Sequence, residues 1–77
     1  MLKSIHTTSD LGSALRRARK ARELRLEDVA LAAGVGIRFV SELERGKATA
    51  RLAETLRVAA ALGVNLTLED PLDRPNA

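Results

Sequence analysis

A chain of 77 residues, 45% of them apolar, is long enough for one domain with one small core, and at that size a core leaves little margin without a staple or a partner. There is no cysteine, which excludes disulfides and thiolate metal sites and leaves association with a second chain as the remaining device. The net charge of +3 is mild but uneven: Lys3, Arg16, Arg17, Arg19, Lys20, Arg22 and Arg25 crowd the first third, whereas Glu69, Asp70 and Asp73 gather near the end, so one end suits a polyanion and the other does not.

The opening MLKSIHTTSD has neither the apolar stretch of a signal peptide nor the Arg-rich amphipathicity of a transit peptide, and no run of about 20 apolar residues follows, so a cytoplasmic protein without a membrane segment is expected. Within TTSD, Ser9 or Asp10 is expected to cap a first helix by accepting a free backbone N–H. Leu11, Ala14, Leu15, Ala18 and Ala21 or Arg22 trace one face of that helix, with Arg16, Arg17, Arg19 and Lys20 largely elsewhere on the cylinder. Arg22 to Leu26 reads as a connector. Phe39 is the only aromatic residue, so the core must be Leu, Val and Ala, which suits close-packed helices better than a sheet.

The organising stretch is Glu27 to Lys47, EDVALAAGVGIRFVSELERGK. Ala30 is small enough for a second helix to lie close across the first, Gly34 can take the left-handed geometry that stops the first helix, and Val40 fills the wedge between them. This spacing predicts a helix-turn-helix. Its second helix, Ile37 to Arg45, would turn Ile37, Arg38, Ser41 and Glu42 outward and Val40 and Leu43 inward, while Gly36 leaves room for close backbone approach. Beyond Gly46 and Lys47, Leu52, Leu56, Ala59 and Leu62 or Gly63 predict a further helix with its apolar stripe in the core, stopped by Gly63. Val64 to Glu69 changes period: Val64, Leu66 and Leu68 alternate with Asn65, Thr67 and Glu69, a strand pattern closed by Asp70 and Pro71. A lone strand in a helical domain has no partner in its own subunit, so pairing with the same strand of a second copy is expected. Residues 70–77 read as a tail.

Taken with the continuation SELERGK and the next amphipathic helix, residues 10–63 resemble the lambda repressor and Cro (XRE) family of helix-turn-helix regulators. GVGIRFVSELERGK and the ending AALGVNLTLED look most like the HipB-type antitoxins. The resemblance implies an all-α, five-helix domain spanning 1–77 as one unit, with the dimerisation strand at 64–69 carried by Val64, Leu66 and Leu68. It implies base contacts from Gly36, Ile37, Arg38, Ser41 and Glu42, and phosphate contacts from Arg45, Lys47 and Arg51. It also implies an ion pair between Arg19 and Glu44. The chain departs from the family at Arg25 and Leu26, where Thr-Gln is common, so a backbone contact there would fall to Arg25. The implied partners are a palindromic double-stranded DNA operator, a second copy of the chain, and a HipA-like serine/threonine kinase toxin.

Catalysis has no constellation to rest on. His6 is the only histidine and reads as an exposed residue, Gly34 and Gly36 lack the strand and the Gly-Lys-Ser of a phosphate loop, and no metal-ligand cluster or cofactor site can be assembled. Two other functions remain: a plain repressor of the same fold with no toxin, and a helical adaptor that binds only protein. The basic residues around the second helix of the motif argue against the adaptor.

Overall fold

The computed structural model describes residues 3–73. Four helices occur among them: α1 Thr8–Ala21, α2 Leu26–Ala33, α3 Ile37–Glu44 and α4 Leu52–Ala61. The fifth helix implied by the resemblance is absent from the described residues, and 64–69 has no regular secondary structure and is not a strand. After Gly63 the chain alternates polar and apolar residues up to Pro71, which offers no helical face, and a strand needs a partner ladder that one chain does not contain.

The start of α1 differs from the expected cap. Thr7, not Ser9 or Asp10, takes the position: its hydroxyl accepts from the Asp10 N–H at 3.0 Å. Asp10 answers by accepting from the N–H groups of His6 at 3.0 Å and Thr7 at 3.1 Å. This reciprocal box satisfies more orphan donors than a single cap at Ser9 or Asp10 could. α1 closes through a left-handed Glu23 with φ 55°, and both Ala21 and Arg22 are exposed, contrary to the expected place of one of them on the apolar face.

At the start of α2, Arg25 has only donors on its side chain, so the cap comes from the other direction: the Asp28 carboxylate accepts the Arg25 N–H at 2.8 Å. The helix ends at Gly34, φ 71°, where the Val35 N–H reaches back to the Ala30 carbonyl at 3.0 Å; the left-handed residue and the reversed bond together stop the helix. Arg57 of α4 donates its Nε–H to the Ala33 carbonyl at 3.2 Å, occupying an acceptor that the helix end leaves open.

α2 packs against both α3 and α4, and α1 crosses α3. The core is Leu15, Val29, Ala30, Ala33, Val40, Leu43, Val58, Ala59 and Leu62, with Phe39 half-buried at its edge. Ala30 and Val40 therefore occupy the places that the motif spacing assigns them. In α4 the buried stripe is rotated: Thr55, Val58 and Ala59 face inward, whereas Leu52 is 68% and Leu56 47% exposed, contrary to the expected core role of those two leucines. Both stripes satisfy helical spacing. Burial of the Thr55 hydroxyl costs little because it donates to the Arg51 carbonyl at 2.8 Å.

Candidate nucleic-acid interface

The turn between α2 and α3 places Gly36 at the N-cap of α3. From there the two faces of the helix separate as their periodicity dictates. Val40 and Leu43 are buried, Ile37 and Arg38 are exposed, and Ser41 and Glu42 are half-exposed. With Val40 at 0% and Leu43 at 3% exposure, the helix cannot roll without emptying the core, so the outward set is fixed by packing.

A second constraint acts at the far end of α3. Arg19 of α1 donates from Nε to Glu44 Oε2 at 2.7 Å and from Nη2 to Oε1 at 2.9 Å, while its Nη1 donates to the Leu24 carbonyl at 2.9 Å. The two side chains are 11% and 7% exposed. This is the pair that the resemblance implied. The Glu44 hydrogen bonds, outweighing the cost of burial, raise the Arg19 guanidinium above its ordinary value.

Gly12 is the residue that lets α1 come so close, and the sequence offered no sign of it. A Cβ there would overlap the Leu43 carbonyl oxygen and stand 2.8 Å from that of Glu44. Beside it the Thr8 hydroxyl donates to the Gly46 carbonyl at 2.9 Å, tying the start of α1 to the turn after α3.

Four of the nominated residues meet in one open groove. Arg38 and Glu42 of α3, Lys47 of the following turn and Arg51 at the N-cap of α4 line a depression of about 440 Å³ together with Phe39, Thr49 and Ala50. Glu42 sits between two cations there, with Lys47 Nζ 3.1 Å from its Oε1 and Arg38 Nε 3.5 Å from its Oε2. The Lys47 hydrogen bond, with Arg38 adding to it, holds the Glu42 carboxyl below the usual carboxylate range. Arg51 pairs with Glu54 at 2.7 Å and keeps 79% of its side chain exposed. Gly36, Ile37 and Ser41 lie on α3 or its cap but outside that groove, and Arg25 and Arg45 are exposed at the ends of their helices. Thr49, a hydroxyl in the groove, was not among the nominated contacts; its place after a helix-breaking Gly-Lys was the available signal.

The residues nominated for dimerisation divide. Val64 is half-buried and packs on the core, with its N–H donating to the Ala59 carbonyl at 2.9 Å, so in this chain it belongs to the close of α4 rather than to a free strand. Leu66 and Leu68 are 41% and 94% exposed. Among the described residues no cluster of three potential ligands could hold a metal ion, and no helix is long and apolar enough to cross a membrane.

A tight helix pair that buries one face and offers a cation-lined groove on the other defines a DNA-binding module. The chain belongs to the helix-turn-helix family, whose model matches residues 15–68. That family consists of DNA-binding transcriptional regulators rather than enzymes. The chain is 40% identical over 74 residues to the uncharacterized HTH-type transcriptional regulator y4mF of Sinorhizobium fredii, covering 96% of this chain and 97% of that protein. The fold matches HipB in a HipA-HipB-O2-O3 complex with a TM-score of 0.84 at 18% identity, covering 91% of this chain and 99% of that one. The restriction-modification controller protein C.AhdI of Aeromonas hydrophila matches with a TM-score of 0.69 at 31% identity, over 75% of this chain and 88% of that one.

Proposed function

We propose that this regulator is a sequence-specific repressor that binds a palindromic operator as a homodimer, and that it is the antitoxin of a HipBA-like pair, repressing its own operon and neutralising a HipA-like serine/threonine kinase. The observation that carries the DNA half is the exposed side of α3, with Arg38 88% exposed beside Lys47 and Arg51 in one groove. α3 enters the major groove, with Gly36, Ile37, Arg38, Ser41 and Glu42 toward the bases and Arg25, Arg45, Lys47 and Arg51 toward phosphates. Arg38 offers guanine O6 and N7 a two-pronged contact, worth about 1 to 3 kcal/mol of discrimination. Half-sites lie one helical turn apart, roughly 34 Å, or a multiple of that.

The antitoxin half rests on the likeness to HipB, the protein that stands with HipA in the complex named above. The whole chain, 1–77, serves as one cytoplasmic DNA-binding unit. The likeness to a restriction-modification controller supports the second reading, a repressor with no toxin.

Selection of bound duplexes from a random pool tests the DNA half: a two-fold repeat with a guanine at one symmetric pair of positions is expected, and Arg38→Ala should become indifferent at that pair. Recovery of no common sequence would sink the reading. Co-purification with the product of an adjacent kinase-like gene separates antitoxin from plain repressor.

A further inference from the structure

We propose that Glu42 is a positioning residue that keeps this surface from binding DNA indiscriminately, by holding Arg38 and Lys47 on its own carboxylate until a guanine edge engages Arg38. The inference rests on the DNA-binding reading and names what sets its specificity.

A carboxylate on a helix that faces a polyanion is costly wherever it stands free. Glu42 does not stand free. Its oxygens each take one cation, Lys47 at 3.1 Å and Arg38 at 3.5 Å, and its side chain is only 23% exposed although it lies on the outward side of α3. The Lys47 N–H also donates to the Glu42 carbonyl at 3.1 Å, so main chain and side chain of one residue together place the Lys47 ammonium. Nearby in the groove the same arrangement recurs at Arg51, whose Nε lies 2.7 Å from Glu54.

Two consequences follow for a duplex. Binding to any sequence is driven by release of counterions when protein cations replace them at phosphates. A cation already neutralised by Glu42 contributes less of that drive, and the trio brings one net positive charge instead of two. Random DNA is therefore held weakly. Arg38, however, approaches Glu42 through its Nε at 3.5 Å and keeps 88% of its side chain exposed, so its terminal nitrogens stay open to the two acceptors of guanine. A guanine thus finds an accessible guanidinium beside a carboxylate, whereas a phosphate finds a cation pair whose charge is already partly offset.

The test compares wild type, Glu42→Gln and Glu42→Asp on the selected operator and on a scrambled duplex of equal length across a salt series. Gln keeps the size and some hydrogen bonding but releases the cations. Binding to scrambled DNA should tighten by about tenfold, the slope of log affinity against log salt should steepen by about one unit, and the ratio of operator to scrambled affinity should fall correspondingly. Asp keeps the charge but is one methylene short of both cations. It should leave scrambled binding weak while losing operator affinity. An unfolding midpoint unchanged in both variants excludes a merely structural effect.

Unchanged scrambled affinity and salt slope in Glu42→Gln would overturn the proposal. So would a loss of discrimination confined to one cytosine pair, which would make Glu42 a base reader. If wild type itself binds no duplex more tightly as salt falls, the DNA-binding reading fails, and this inference with it.

Discussion

Arg19 and Glu44 are joined by two parallel hydrogen bonds of 2.7 and 2.9 Å across the crossing of α1 and α3, and the third arm of the guanidinium reaches the Leu24 carbonyl. The pair is nearly enclosed, and none of the buried side-chain polar atoms among the described residues lacks a partner. A charge stripped of its partner at such a place is not rescued by water. Arg19→Ala or Glu44→Ala should each cost about 3 kcal/mol, whereas replacing both together by apolar residues of similar volume should cost much less. Chemical denaturation of the two single variants and the double variant measures this; additive losses would mean that the two side chains act independently.

The close crossing beneath that pair depends on Gly12. An added methyl group meets two backbone carbonyl oxygens, which cannot move aside as a side chain would. Gly12→Ala should therefore destabilise by about 1 to 3 kcal/mol despite improving intrinsic helix propensity by nearly 1 kcal/mol. A gain in the thermal midpoint would show that α1 shifts freely against α3.

How much of this was legible in the sequence depends on whether a feature is local. Ala30, Gly34 and Val40 lie within one continuous helix-turn-helix stretch, so their types and spacing already specify the crossing of α2 and α3. Arg19 and Glu44 are 25 residues apart and were visible only through family resemblance. Gly12 left no trace, because its job is set by a helix that arrives from elsewhere. The Lys47 bond to Glu42 spans five residues across the helix break, outside the spacings that a regular helix makes predictable. In TTSD four consecutive residues could each cap, and only the reciprocal bond between Thr7 and Asp10 decides.

The α4 stripe was misassigned for a different reason, since periodicity fixes the spacing of a face but not which of two overlapping faces turns inward. Val58, at 1% exposure, lies in the core, and Leu56, at 47%, does not. Val58→Ala should cost about 2 kcal/mol and Leu56→Ala under about 1 kcal/mol, although Leu56→Ala removes more carbon. The reverse order by denaturant titration would restore the face expected from the leucines.

Asp10 gives a pH dependence of known sign. The N–H groups of His6 and Thr7 and the Thr7 hydroxyl hold its carboxyl below the usual carboxylate range, with the His6 N–H the largest influence. A folded value below the unfolded one means that the contribution is complete above the unfolded value, near pH 4, and is lost as pH falls through the folded value. Asp10→Asn should leave a chain whose stability falls less steeply below about pH 4. Parallel acid titrations of unfolding free energy, superimposable for the two proteins, would show that the cap has no bearing on acid sensitivity.

The dimer can be tested through the segment after α4. From 65 to 70 the backbone N–H groups make no hydrogen bond to other described residues, and Leu68 stands 94% exposed beside the half-exposed Leu66. An apolar groove of about 410 Å³ runs between Leu66 and Ile5, Leu11 and Ala14. A segment with unpaired backbone donors and alternate apolar side chains is the form that a second copy completes by pairing edge to edge. Leu66→Pro removes both a ladder donor and an apolar side chain, and Leu68→Glu keeps the donor while placing a charge at the seam. Both should sediment as monomers at concentrations where the parent chain is a dimer. Operator binding should weaken by about 100-fold or more because the two half-sites are no longer engaged together, while binding to a single half-site stays near the parent's. Loss of helical signal would mark Leu66→Pro as unfolded and leave Leu68→Glu to decide. If Leu68→Glu remains a tight dimer, the interface lies on another face of the chain.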